Sequence, residues 1–149
     1  MNMIKSLNSI ICLLFFVGSV AINALECPKN LTVSFVSPKE NETVNGAKQK
    51  VSLSISQKDG LFYHLIQTNT NDKKKVNYLQ GSGAINNLNI NSNIWLGNDS
   101  QGKNNSFVIT AIVSTKLIPK EGKVVEWNDS VLKPTEICNK TSITVNRAN

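Results

Sequence analysis

Apolar and polar residues alternate along most of this chain in short runs with a period of two, the spacing of half-buried strands rather than of an amphipathic helix. Leu31 to Val36 sets Leu31, Val33 and Phe35 against Thr32, Ser34 and Val36, which predicts a first strand. Lys50 to Ser56 is the clearest run, with Val51, Leu53 and Ile55 on one face and Ser52, Ser54 and Ser56 on the other. Leu61 to Thr68 is apolar on both faces and predicts a central strand. Val76 to Gln80 predicts a short partner strand, broken by Gly81, Ser82 and Gly83. In the asparagine-rich passage Ala84 to Asn93, Leu88 and Ile90 alternate with Asn87, Asn89 and Asn91, so a further strand is expected there with its apolar positions in the core. Thr141 to Arg147, with Ile143 and Val145 inward, supplies a closing strand.

The stretch Asn93 to Thr115 organises the rest. Trp95 and Leu96 end one strand, a polar turn follows, and Phe107, Ile109, Ala111 and Val113 share one face of a long strand, which together predict a β-hairpin at the centre of the fold. Ser37-Pro38, Asn45-Gly46 and Asp59-Gly60 are turn signals between strands. Pro119 and Pro134 bracket a segment in which a short helix is expected around Lys123 to Trp127. Short strands at regular spacing with so little helical signal predict an all-β, immunoglobulin-like antiparallel β-sandwich, with a small closed barrel as the competing architecture.

The first 24 residues carry one basic residue, Lys5, an apolar run from Ile10 to Val17 and small residues near Ala24, which is the anatomy of a secretory signal peptide; residues 25–149 then form one domain. Glu26 before Cys27 argues against a lipid-anchored cysteine. Removing that segment leaves Cys27 and Cys138, near the two ends of the mature chain and in an oxidising compartment, where a disulfide between them is expected. Such a bridge closes a loop of about 110 residues and contributes roughly 4 to 5 kcal/mol on the chain-entropy model. Two separate thiols are the competing reading. The expected location is secreted or periplasmic, with no integral membrane segment in the mature chain.

The formal net charge is +6, of which Lys5 accounts for one unit. Lysines are scattered except at Lys73, Lys74 and Lys75, which fall in an expected hairpin tip; a nucleic-acid binder would instead interleave a basic stripe with aromatic residues. His64 is the only histidine and no Gly-x-Ser-x-Gly occurs, so His64 is read as an ordinary strand residue and no hydrolase triad is assigned. No metal and no cofactor is expected: the mature chain has no methionine, and its two cysteines are taken as oxidised. The loop from Asn98 to Asn104 has one carboxylate and a lysine, which suits a strand connection better than calcium. The acids lie in predicted loops with no pairing of the kind a glycosidase needs. Six Asn-x-Ser/Thr triplets occur, at Asn30, Asn41, Asn98, Asn104, Asn128 and Asn139, and the 21 asparagines account for most of them by chance. Trp127, in an irregular segment, is a candidate contact residue if exposed, whereas Trp95 is expected in the core.

The order of these features resembles small exported bacterial immunoglobulin-like domains of uncharacterised function. The resemblance rests on Ser37-Pro38 with Asn45-Gly46, on Tyr78-Leu79-Gln80, on Trp95-Leu96-Gly97, on Gly102 with Phe107 to Ala111, and on Val145 to Arg147. The chain departs from that pattern in lacking a proline inside the Tyr-x-Gln element and in its terminal cysteine pair. The resemblance implies a fold and an exported location and brings no shared activity. The functional expectation is a non-enzymatic binding module that contacts a protein or a surface glycan, with Trp127 and Lys73 to Lys75 as contact residues. The alternative is a structural or assembly component of a cell-envelope complex.

Overall fold

The computed structural model describes residues 25–98, 100–119 and 125–148, and among these nine strands form: β1 (Val33–Ser37), β2 (Glu42–Val44), β3 (Lys48–Ile55), β4 (Phe62–Asn69), β5 (Asn77–Ala84), β6 (Asn89–Trp95), β7 (Ser106–Ser114), β8 (Val125–Glu126) and β9 (Ile137–Arg147). The predicted signal peptide, residues 1–24, lies outside the described residues. Two single-turn 3₁₀ helices, Asp129–Val131 and Pro134–Glu136, are the helical elements among them, and no described helix is long and apolar enough to cross a membrane.

The strands form two facing sheets, β1-β3-β6 and β2-β9-β7-β4-β5-β8, antiparallel throughout except where β2 runs parallel to β9. This is the expected immunoglobulin-like sandwich: first, second and fifth long strands in one sheet, third, fourth, sixth and last in the other. The alternation read from the sequence sets the core. Val51, Leu53 and Ile55 from β3 face Phe107, Ile109, Ala111 and Val113 from β7, all nearly inaccessible. Each of these side chains larger than Ala111 contributes about 1.5–3 kcal/mol by leaving water. β4 is central, between β5 and β7, as its apolar character on both faces requires. Cys27 and Cys138 are bonded, with Cα atoms 5.0 Å apart, and tie the chain ahead of β1 to the start of β9 across 111 positions.

Three expectations are corrected. β6 and β7 do not form a hairpin: β6 pairs with β3 and β7 with β4 and β9, so the connection between them crosses from one sheet to the other. Gly81 and Gly83 do not end β5 but continue it. A Cβ on Gly81 would lie 2.8 Å from Ser92 Oγ of the facing sheet, and one on Gly83 would lie 3.2 Å from the ring of its cross-strand neighbour Tyr63, so glycine is what fits the strand there. Gln80 is the extra residue of a bulge, which shifts the register with β4 between Leu65 and Ile66. The helix expected around Lys123 to Trp127 lies partly outside the described residues, and within them Val125–Glu126 is a strand on the edge of β5.

The crossing from β6 to β7 is held by two features. Gly97 has φ +80°, and a Cβ on it would sit 2.3 Å from the carbonyl oxygen of Gln101. Arg147, only 3 % exposed at the end of β9, donates from Nη1 to the carbonyls of Leu96 at 2.7 Å, Asn98 at 2.7 Å and Gln101 at 2.8 Å. A buried guanidinium is thus matched to three turn carbonyls that no strand satisfies. Gly97→Ala is expected to lower unfolding stability by about 1–3 kcal/mol through backbone strain alone. Arg147→Met should cost about 3 kcal/mol, because it takes the guanidinium from the Leu96 and Asn98 carbonyls, whereas the Gln101 carbonyl keeps the Asn98 amide. Urea unfolding of the two variants measures both losses.

Candidate binding surface

The outer faces of the two sheets differ. Beyond β7 the chain folds back over the six-stranded sheet, and Trp127 and Leu132 from this segment pack with Ile66, Leu79 and Ile112, flanked by Ile118 and Ile137. The Trp127 amide donates to the Asn77 carbonyl at 2.7 Å, and its ring, 8 % exposed, sits 5.9 Å from the His64 ring. Trp127 is therefore a roof residue, and the exposure on which a contact role depended is missing.

The three-stranded sheet carries no such roof among the described residues. Its outward positions form cross-strand rows: Ser34, Ser54 and Asn89; Ser52 and Asn91, whose side chains bond at 2.7 Å; Lys50 and Asn93; Lys48 and Trp95. Trp95 is 47 % exposed, which corrects its expected place in the core. The signal was in the sequence. Ile90 and Ile94 fix the inward parity of β6, and Trp95 shares the opposite parity with Asn89, Asn91 and Asn93.

Local structure fixes this ring. Leu96, fully buried, donates its amide to the Ala47 carbonyl at 2.7 Å, so the Trp95 amide points to the open edge of the sheet, where it donates to Oε1 of Gln80 at 3.1 Å. Gln80 is the bulge residue of β5, so an irregularity in one sheet anchors the aromatic residue of the other. Lys48 Nζ lies 6.0 Å from the ring centroid, at the limit of a cation–π contact.

Lys73, Lys74 and Lys75 occupy the exposed β4–β5 hairpin tip that the sequence predicts. Backbone bonds from Lys74 and Lys75 to Asp72 shape this tip. Strand direction brings it to the same end of the sandwich as Trp95: β4 and β6 finish there, and β3, β5 and β7 begin there. At the opposite end, an open depression beside the disulfide is lined by Leu25, Glu26, Cys27, Lys133, Thr135 and Glu136, a mixed set of charges. No family model matches the chain, and no curated protein matches it.

His64 is a fully buried strand residue that fastens the roof. Its Nε2 faces Ser114 Oγ at 2.8 Å and the Lys116 carbonyl at 3.1 Å; its Nδ1 faces Ser82 Oγ at 2.9 Å, and the single proton of that hydroxyl is shared between Nδ1 and the Ile118 carbonyl, 2.6 Å from the oxygen. A carbonyl beside Nε2 assigns the proton there. Burial lowers the His64 pKa from 6.5 to about 4, the Lys116 hydrogen bond opposing this. Between those two values the unfolded chain binds the proton and the folded one does not, so stability rises with pH there. As pH falls from 7 to 5 the His64 term should remove about 2 kcal/mol, on the way to roughly 3 kcal/mol near pH 4. Urea midpoints across this range should fall in the parent protein, and the same drop in His64→Gln would refute the assignment.

Proposed function

We propose that the protein is a non-enzymatic exported binding module that contacts a protein or a surface glycan through the Trp95 end of its three-stranded sheet. One observation carries this reading: a large aromatic side chain, half exposed on an uncovered sheet face, is held in place by its own backbone bond to Gln80 rather than by burial of its ring. Aromatic rings presented in this way anchor protein interfaces and stack on sugar rings. The signal-like N-terminus, the cysteine pair and the resemblance to exported bacterial immunoglobulin-like domains support the exported location. The contact region moves accordingly, from Trp127 to Trp95, with the Lys73 to Lys75 tip retained at the same end of the sandwich.

Binding to a panel of extracellular proteins and glycans tests this reading. Trp95→Ala should keep thermal stability near that of the parent protein while weakening any ligand found by about tenfold. Retained affinity in a folded Trp95→Ala protein would sink the proposal.

The alternative, an assembly component of an envelope complex, draws on the free edge of β6. Asn89, Asn91 and Asn93 share the parity of Trp95, so their backbone groups point away from β3 and are open to a partner strand. Asn91→Pro removes one such outward amide without breaking a ladder bond inside the sheet. Strand addition predicts that Asn91→Pro abolishes assembly with Trp95 intact, whereas face binding predicts that ligand affinity survives it. Size-exclusion chromatography and titration of the same variant separate the two.

A further inference from the structure

The ligand class follows from the charge around Trp95. β1, β3 and β6 contain no aspartate or glutamate at all, yet Lys48 and Lys50 stand in successive outward rows beside the ring. Among the described residues neither lysine is in an ion pair; the one salt bridge there joins Lys116 to Glu136, at the other end of the sandwich. The tip lysines, Lys73 to Lys75, add positive charge at the same end. Apart from Val36, half-exposed at the bulge of β1, the remaining outward side chains are asparagine and serine, which both donate and accept hydrogen bonds as sugar hydroxyls do. Among the described residues the face is uncovered, which suits a polymer lying across the strands better than a small molecule enclosed on several sides.

Resting on the reading of Trp95 as the contact residue, we infer that the ligand is an acidic polysaccharide, with a sugar ring stacked on Trp95 and carboxylate or sulfate groups set against Lys48, Lys50 and the lysine tip. An ammonium group near a ring face and a row of amides beyond it recognise one repeating chemistry: an apolar sugar face, its hydroxyls, and a fixed anionic charge. The formal net charge, +6 for the whole sequence and one unit less without Lys5, draws such a polymer to the molecule as a whole, and the acid-free sheet decides where it settles.

The test uses the folded mature chain against polygalacturonate, dextran sulfate and uncharged dextran at physiological ionic strength, read by biolayer interferometry. The two acidic polymers separate carboxylate from sulfate as the preferred anion. At least one of them should bind while dextran does not, and Trp95→Ala and the pair Lys48→Gln/Lys50→Gln should each weaken binding by about tenfold. A charge-matched pair at the opposite end, Lys29→Gln/Lys58→Gln, should change it by less than about twofold. Equal losses from the two lysine pairs would mean attraction to net charge without a site, and would overturn the inference. Dextran bound as tightly as the acidic polymers, still through Trp95, would overturn the acidic class and leave the contact residue standing. So would Trp95-dependent binding of a purified protein in place of any polysaccharide. Binding indifferent to Trp95→Ala would overturn both readings together.

Discussion

The sandwich depends on carrying the chain from one sheet to the other between β6 and β7, and Arg147 is what makes that crossing stable. A loop that leaves one sheet and enters the next cannot give its carbonyls to either ladder, and burying such groups unmatched is expensive. Arg147 brings Nη1 within 2.8 Å of three of them from the last residue of β9. The loop between the two sheets is thereby closed by the last strand of the chain, which lies in the larger sheet. Gly97 lets the backbone turn tightly enough for the same guanidinium to reach Leu96 and Gln101 together.

The position of Trp95 follows from that crossing. Leu96 enters the core beside it, Gly97 turns behind it, and Gln80 takes its amide from the facing sheet. Three neighbours therefore fix the backbone while the ring stays outside. The other tryptophan has the reverse arrangement, with a backbone bond at the edge of β5 and a ring turned down onto Ile66 and Ile112. One face of the molecule is closed by its own chain and fastened through His64; the other is left open with its aromatic residue exposed.

The strands that bury one face were legible because a period of two in the sequence is a direct image of a pleat in contact with a core, as in Val51, Leu53 and Ile55. The outward place of Trp95 was legible by the same parity. Treating Trp95 as a strand end in a hairpin hid it, because the nearest long strand in sequence is not its partner in space. Pairing across sheets is a tertiary fact, and β6 and β7 carry no local signal that distinguishes a hairpin from a crossing except Gly97 and the distant Arg147. β2 and β8 escaped for a different reason: three and two residues long, they exist because β9 and β5 offer them free edges. Gly81 and Gly83 misled because glycine in a strand reads as a break, when here it marks close approach of Ser92 and Tyr63.

A face of this composition sets its own limit on affinity. A single aromatic anchor contributes on the order of 1–3 kcal/mol, and exposed lysines meeting anions in water contribute about 1 kcal/mol or less each. Such terms must also offset the ordering of long side chains and of the ligand, so one site alone supports a dissociation constant in roughly the millimolar range. A repeating polymer changes that outcome, because each ligand presents many equivalent segments and each surface many copies of the protein, and effective concentration then multiplies weak contacts into durable ones. The uncovered sheet suits that regime, because its rows of asparagine and serine repeat across the strands and set the ring, Lys48 and Lys50 in successive rows.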